Sequence, residues 1–118
     1  MKYVATFLLT LSLTLPLWAD GKAPTDEASL AVGAKLFKRT CAPCHGKEGK
    51  GDGPAAAGIK PPPRDLTTAP LIQGESDQDI FNTISNGVPK SGMAGFAKQL
   101  KEEDRWKIVS FVKTLRKK

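Results

Sequence analysis

Cys41-Ala42-Pro43-Cys44-His45 places two thiols and an imidazole within five residues. Sulfurs three positions apart can reach the two vinyl groups of one haem as thioethers, and the next residue then projects its imidazole towards the iron from the same side of the ring. A Cys-x-x-Cys pair also serves dithiol exchange, structural zinc and plain disulfides. A thioredoxin-like dithiol sits in a βαβ setting, and no strand-rich stretch supplies one. Structural zinc takes about four ligands, whereas Cys41, Cys44 and His45 exhaust the Cys and His of the chain. Covalent haem attachment is the reading these residues favour.

The flanking elements must deliver this motif. Asp20 to Pro24 reads as a loose stretch, after which Thr25 can cap a helix with Asp26 and Glu27 in its first turn. Leu30, Gly33, Ala34 and Phe37 recur at spacings of three and four, one face of a helix ending near Thr40. Gly33 costs helix propensity there, which predicts close approach by another helix. Gly46 to Gly58 holds five glycines without the G-x-x-x-x-G-K-[ST] pattern of a phosphate loop, so it reads as tight turns. Pro61-Pro62-Pro63 is stiff and extended, a rigid wrap for a cofactor edge. Arg64, next in line, suits a haem propionate or plain solvent equally well.

Ser76 and Asp79 form a variant capping box for a second helix, with Ile80, Phe81 and Ile84 as its apolar side and Gly87 at its end. The loop from Val88 to Phe96 contains Met93. A loop methionine more often fills core than binds metal. Met1 and Met93 are the only methionines, however, and Met1 leaves with any leader, so a thioether ligand to the iron would have to be Met93. A last helix from about Glu102 to Arg116 carries acids at its positive end and Lys113, Arg116, Lys117 and Lys118 at its negative end. Trp106, Ile108, Val109, Phe111, Val112 and Leu115 supply its apolar stripe. No internal repeat and no alternating strand pattern appear, so the domain reads as all-α.

The first residues read differently. Lys2 precedes the apolar run Val4 to Leu17, with small Ala19 at the cleavage point, the pattern of a secretory signal peptide over 1–19. The run is shorter than the about 20 residues of a spanning helix, and the mature chain, 20–118, is one domain without a membrane span. Export fits the cysteines, since thioether bonds would remove both from disulfide chemistry. The 118 residues carry a formal charge of +6. No nucleic-acid motif accompanies that charge, which leaves an acidic protein as the matching partner.

Four stretches in order carry a family resemblance: Gly33-x-x-x-Phe37, Cys41-x-x-Cys44-His45, Gly53-Pro54, and Gly92-Met93-x-x-Phe96 before the final helix. From Leu30 to Leu115 the chain resembles the class I, monohaem c-type cytochromes. The resemblance implies the cytochrome c fold, three to five helices wrapped around one covalent haem c. It implies thioethers on Cys41 and Cys44, His45 and Met93 as iron ligands, and the Pro54 carbonyl accepting from His45 Nδ1–H. It also implies that Gly33 and Phe37 pack against the last helix near Val109, Phe111 and Val112. Two departures stand out: Ala94-Gly95 after Met93 makes the ligand loop more flexible, and Lys101 leaves the last helix without a capping side chain.

The function implied is one-electron transfer by a monomeric, periplasmic carrier that is no enzyme, since two axial ligands leave the iron no open position. Lys47, Lys50, Lys90 and Lys98 would steer it towards acidic redox partners, unless they serve only solubility. The alternatives are a haem relay subunit of a larger respiratory or dehydrogenase complex, and a catalyst or gas sensor in which Met93 stays unbound.

Overall fold

The computed structural model describes residues 2, 9–16, 18–68 and 70–116. Part of the expected leader, including Leu17, and the terminal Lys117 and Lys118 lie outside these residues. Four α-helices follow one another: α1 (Glu27–Thr40), α2 (Ala42–His45), α3 (Asp77–Asn86) and α4 (Glu102–Leu115), with a short 3-10 turn at Ala56–Gly58. Among the described residues the only β pairing is one isolated bridge, Gly87 to Ala94. The all-α expectation stands among the described residues.

The crossing of α1 and α4 organises the core. A Cβ on Gly33 would lie 2.0 Å from the Lys107 carbonyl oxygen and 3.3 Å from Phe111 Cβ, so the helix backbones meet where only glycine fits. One turn later Phe37 packs on Phe111, ring centroids 5.0 Å apart. Ile108 and Val109, fully buried, fill the same layer. These are the contacts that the sequence pattern and the family resemblance foretell.

Capping follows expectation at α3 and departs from it at α1. Ser76 Oγ accepts from Asp79 N, and the Asp79 carboxylate accepts from Ser76 N, closing a full capping box. At α1 the cap is Asp26, not Thr25: Asp26 Oδ1 accepts from Ser29 N at 2.8 Å. Thr25 lies one residue too early for that reach, and a carboxylate also suits the positive helix end. Lys101 precedes α4 without a side-chain cap, and Glu102, Glu103 and Asp104 supply negative charge to its first turn.

The stretch expected to be loose before α1 is tied down. Ser110 Oγ donates to the Pro24 carbonyl at 2.5 Å, and Ala23 N donates to Asp77 Oδ2 at 2.8 Å. Asp77 Oδ1 pairs with Lys113 Nζ at 2.6 Å. One carboxylate thus joins the N-terminal segment, α3 and α4. Beside this junction Trp106 stacks on Phe81 at 4.1 Å, with the Arg105 guanidinium over the other member of the pair, Phe81, at 4.8 Å.

Candidate haem site

Helix α1 hands the chain straight to the attachment motif. Cys41 N donates to Phe37 O at 2.8 Å, and Cys44 N and His45 N both donate to Cys41 O, forming the single turn of α2. Pro43 sits near the start of this turn, where a missing N–H costs nothing. Gly46, at φ 83°, ends it. Both cysteines are half-buried. Burial, with a smaller contribution from neighbouring Cys44, pushes the Cys41 thiol up to about 12. A dithiol exchanger needs a low-pKa thiolate, so Cys41 has the opposite of that chemistry.

His45 Nδ1 lies 3.0 Å from the carbonyl oxygen of Arg64. A carbonyl can only accept, so this contact places the proton on Nδ1 and leaves the Nε2 lone pair available to a metal. Burial lowers the His45 pKa, against the opposing pull of the Arg64 hydrogen bond. A neutral imidazole is the ligating form.

The carbonyl at His45 is therefore not that of Pro54, which the resemblance implied. Pro54 is exposed and borders a separate surface groove beside Pro43, Lys47 and Asp52. The physical reason lies in the glycine loop. A Cβ on Gly51 would come 2.5 Å from the Pro63 carbonyl, and one on Gly49 would come 2.8 Å from Leu115 Cδ1. Leu66 N donates to Gly49 O at 2.6 Å. Without side chains at 49 and 51, the Pro63–Leu66 segment closes on the loop and brings Arg64 O to the imidazole.

Cys41, His45 and Met93 line one cleft of about 670 Å³, part of it open at the mouth. Its walls come from every major helix: Phe37 of α1, Ile80 and Ile84 of α3, Ile108 and Val112 of α4. Leu66 and Leu71 close it from the long connection. The donor set and apolar walls fit a haem held between an imidazole and a thioether. Cys44 and Pro54 are not among the lining residues, whereas Arg64 is.

The Met93 loop, expected to be flexible, is pinned. Val88 N donates to Met93 O at 3.0 Å, Met93 N to Ser91 Oγ at 3.1 Å, and Ser91 Oγ to Val88 O at 2.7 Å. Beyond it, Phe96 N and Ala97 N take the carbonyls of Ile84 and Ser85. Those carbonyls lie in the last turn of α3, where no intrahelical partner exists. The backbone of the loop thereby finishes the helix.

Of the four lysines expected to ring the cofactor edge, none lines the cleft, and Lys50 pairs with Glu48 at 2.9 Å. The charged side chain at the cleft wall is Arg64. Sequence reasoning missed two features of this wall. The Arg64 carbonyl has no side-chain signature; its one signal was the Gly49 and Gly51 spacing, which marks close backbone approach. The second is Arg116, whose guanidinium donates to Leu66 O at 2.8 Å and pairs with Glu75 at 2.6 Å, fastening the connection to the end of α4.

An all-helical domain with a Cys-x-x-Cys-His turn opening on an apolar cleft defines a class of covalent haem proteins. The chain belongs to the cytochrome c family, a family of electron transfer, whose model matches residues 30–116. The chain is 34% identical over 68 residues to the FixP subunit of the cbb3-type cytochrome c oxidase of Azorhizobium caulinodans, covering 58% of this chain and 21% of that subunit. It is 27% identical over 96 residues to the cytochrome c subunit of the cytochrome bc1 complex of Corynebacterium diphtheriae, covering 81% and 31%. The chain thus spans a third or less of these curated relatives. Among solved structures, a chain of the Kuenenia stuttgartiensis reducing HAO-like protein complex Kustc0457/Kustc0458 superposes with a TM-score of 0.74 at 31% identity, covering 80% of this chain and 46% of that one. Among the described residues no helix is long and apolar enough to cross a membrane.

Proposed function

We propose that this chain carries one haem c, bound by Cys41 and Cys44 with His45 and Met93 as iron ligands, and passes single electrons between redox proteins outside the cytoplasm. The observation that carries the reading is the convergence of Cys41, His45 and Met93 on one apolar cleft. When bound, the haem supplies a one-electron couple whose potential a thioether ligand raises.

The residues do the rest. Arg64 O holds the His45 proton on Nδ1, so Nε2 keeps its lone pair in either oxidation state. Val88 and Ser91 hold the Met93 backbone, which limits rearrangement when charge changes. Phe37, Ile84, Ile108 and Val112 exclude water from the cleft. Arg64, at the cleft wall, would supply a guanidinium for a haem propionate. With His45 and Met93 both holding the iron, substrate would have no access to the metal, and the chain would act as a carrier and not an enzyme.

The relatives favour a second reading of the same chemistry. Both named subunits belong to respiratory complexes, so this domain serves equally as a relay docked in a larger assembly. Co-purification in stoichiometric amounts selects the relay; a monomer at high salt selects the free carrier.

Export is part of the proposal. Leu9, Leu11, Leu13 and Leu15 stand exposed, which suits a leader outside the fold. Cleavage after Ala19 would also remove Trp18, which packs against the core. The intact mass of the exported protein decides the cleavage point.

Oxidised and reduced visible spectra test the central claim. A low-spin spectrum with the weak ferric sulfur-to-iron band supports His45 and Met93. A low-spin spectrum without it replaces Met93, and a high-spin spectrum means an open iron and a catalyst or sensor.

A further inference from the structure

Arg64 makes two contacts of different kinds from one position. Its backbone carbonyl faces His45 Nδ1 at 3.0 Å. Its side-chain Nε donates to the Pro70 carbonyl at 2.7 Å. The chain between is knotted on itself: Asp65 Oδ1 accepts from Thr67 N at 2.7 Å and from Thr67 Oγ1 at 2.6 Å. Outside the knot, Leu66 N is held by Gly49 O and Leu66 O by Arg116. A carbonyl at the start of this turn cannot rotate unless the turn opens, and the Arg64 side chain closes it.

We propose that Arg64 is a positioning residue whose side chain, through Pro70, fixes the carbonyl that orients His45 and thereby sets the iron potential. The proposal rests on His45 being an iron ligand. Arg64 holds the turn, the turn holds the carbonyl, and the carbonyl holds the imidazole proton.

Charge and brace act in opposite directions. A firm Nδ1–H to carbonyl bond makes the imidazole a more basic ligand, which favours the oxidised metal and lowers the potential. A guanidinium charge near the metal disfavours the more positive state and raises the potential. Lysine keeps the charge but lacks the planar fork that aims Nε at Pro70. Arg64→Lys therefore separates the two effects, and Arg64→Gln removes both.

The experiment compares the haem-loaded wild type with Arg64→Lys, Arg64→Gln and Thr67→Val. The readouts are midpoint potential and, in the reduced protein, the proton resonance and solvent exchange of His45 Nδ1–H. Arg64→Lys is expected to raise the potential, shift the resonance and speed exchange roughly five- to tenfold, the loss of one hydrogen bond. Thr67→Val loosens the same knot without touching charge, and is expected to move all three readouts the same way by less. It keeps the test open if an Arg64 variant fails to fold. The idea is overturned if Arg64→Lys and Thr67→Val match wild type in every readout while Arg64→Gln alone lowers the potential, because charge would then account for everything. A wild-type spectrum lacking histidine ligation overturns this inference together with the function it rests on. Normal wild-type ligation with unmoved variants overturns this one alone.

Discussion

Gly51 backs onto Pro63 so closely that a Cβ would lie 2.5 Å from the Pro63 carbonyl oxygen. Its φ of 81° is also a conformation that side chains resist. Gly51→Ala must therefore twist the loop, push the Pro63-Arg64 segment away, or both. A destabilisation on the order of 2–4 kcal/mol is expected from the left-handed backbone and the overpacking together. Chemical denaturation of the haem-loaded protein checks it.

Pro54→Ala makes the contrasting case. Pro54 is exposed, and the His45 proton goes to Arg64 O. Substitution there is expected to change stability by no more than about 0.5 kcal/mol and to leave the His45 Nδ1–H resonance in place. A large shift of that resonance would restore Pro54 as the partner.

The contrast shows which parts of this site a sequence can disclose. Gly33, Phe37 and the α4 stripe were legible because a 3.6-residue period and a bare glycine on the buried face record helix contact directly. Ser76 and Asp79 were legible because a capping box is local. The partner of His45 was not, since every residue owns a carbonyl and only the folded path selects one. Thr25 and Asp26 are adjacent and both able to cap, so the choice fell to reach towards Ser29 N. The firmness of the Met93 loop depends on the spare carbonyls of Ile84 and Ser85, which no local pattern pairs with residues 96 and 97.

Gly33→Ala tests the helix crossing. Alanine is the better helix former by about 1 kcal/mol, so local propensity alone would stabilise α1. The contact opposing it is a backbone carbonyl, that of Lys107, 2.0 Å from the new Cβ, and backbone cannot swing aside. Overpacking should win, with a net loss of about 2 kcal/mol and a fall in Tm of roughly 8–16 °C for a domain of this size. Thermal unfolding followed by circular dichroism reads it.

Asp77 gives a pH dependence. Burial pushes its pKa up, but hydrogen bonds from Lys113 and Ala23 N outweigh that and leave it below the usual carboxylate value. A depressed folded pKa means that the unfolded chain binds the proton more readily. The stabilisation is thus fully present above the unfolded value of about 3.9 and lost as pH falls through the lower folded value. The Lys113 end is 41% exposed, so solvent screening reduces the gain to about 1 kcal/mol. Asp77→Asn should be less stable by that amount at pH 7, with the gap closing progressively below about pH 4. A constant gap down to pH 2 would show that the charge is not responsible.

Gly95 and Gly92 flank Met93 and should respond differently. A Cβ on Gly95 would meet the Ser85 carbonyl at 2.4 Å, whereas one on Gly92 would meet Ile59 Cγ2 at 2.8 Å. The first obstacle is backbone at the end of α3; the second is a side-chain methyl that can turn. Gly95→Ala must lift the loop from α3 and strain the bonds from Phe96 N and Ala97 N that hold it. On the proposed Met93 ligation, the sulfur-to-iron band of the ferric protein should then fade on heating well before helix content falls, because the loop detaches while the α1–α4 crossing persists. Gly92→Ala should lose band and helix together, near the wild-type temperature. Ser91→Ala removes the hydroxyl that joins Met93 N to Val88 O and should lower the band's midpoint by an intermediate amount, corresponding to about 1 kcal/mol of local stability. If all three variants lose the band at the wild-type temperature, the loop's hydrogen bonds do not hold the ligand, and the thioether is kept in place by the cleft walls alone.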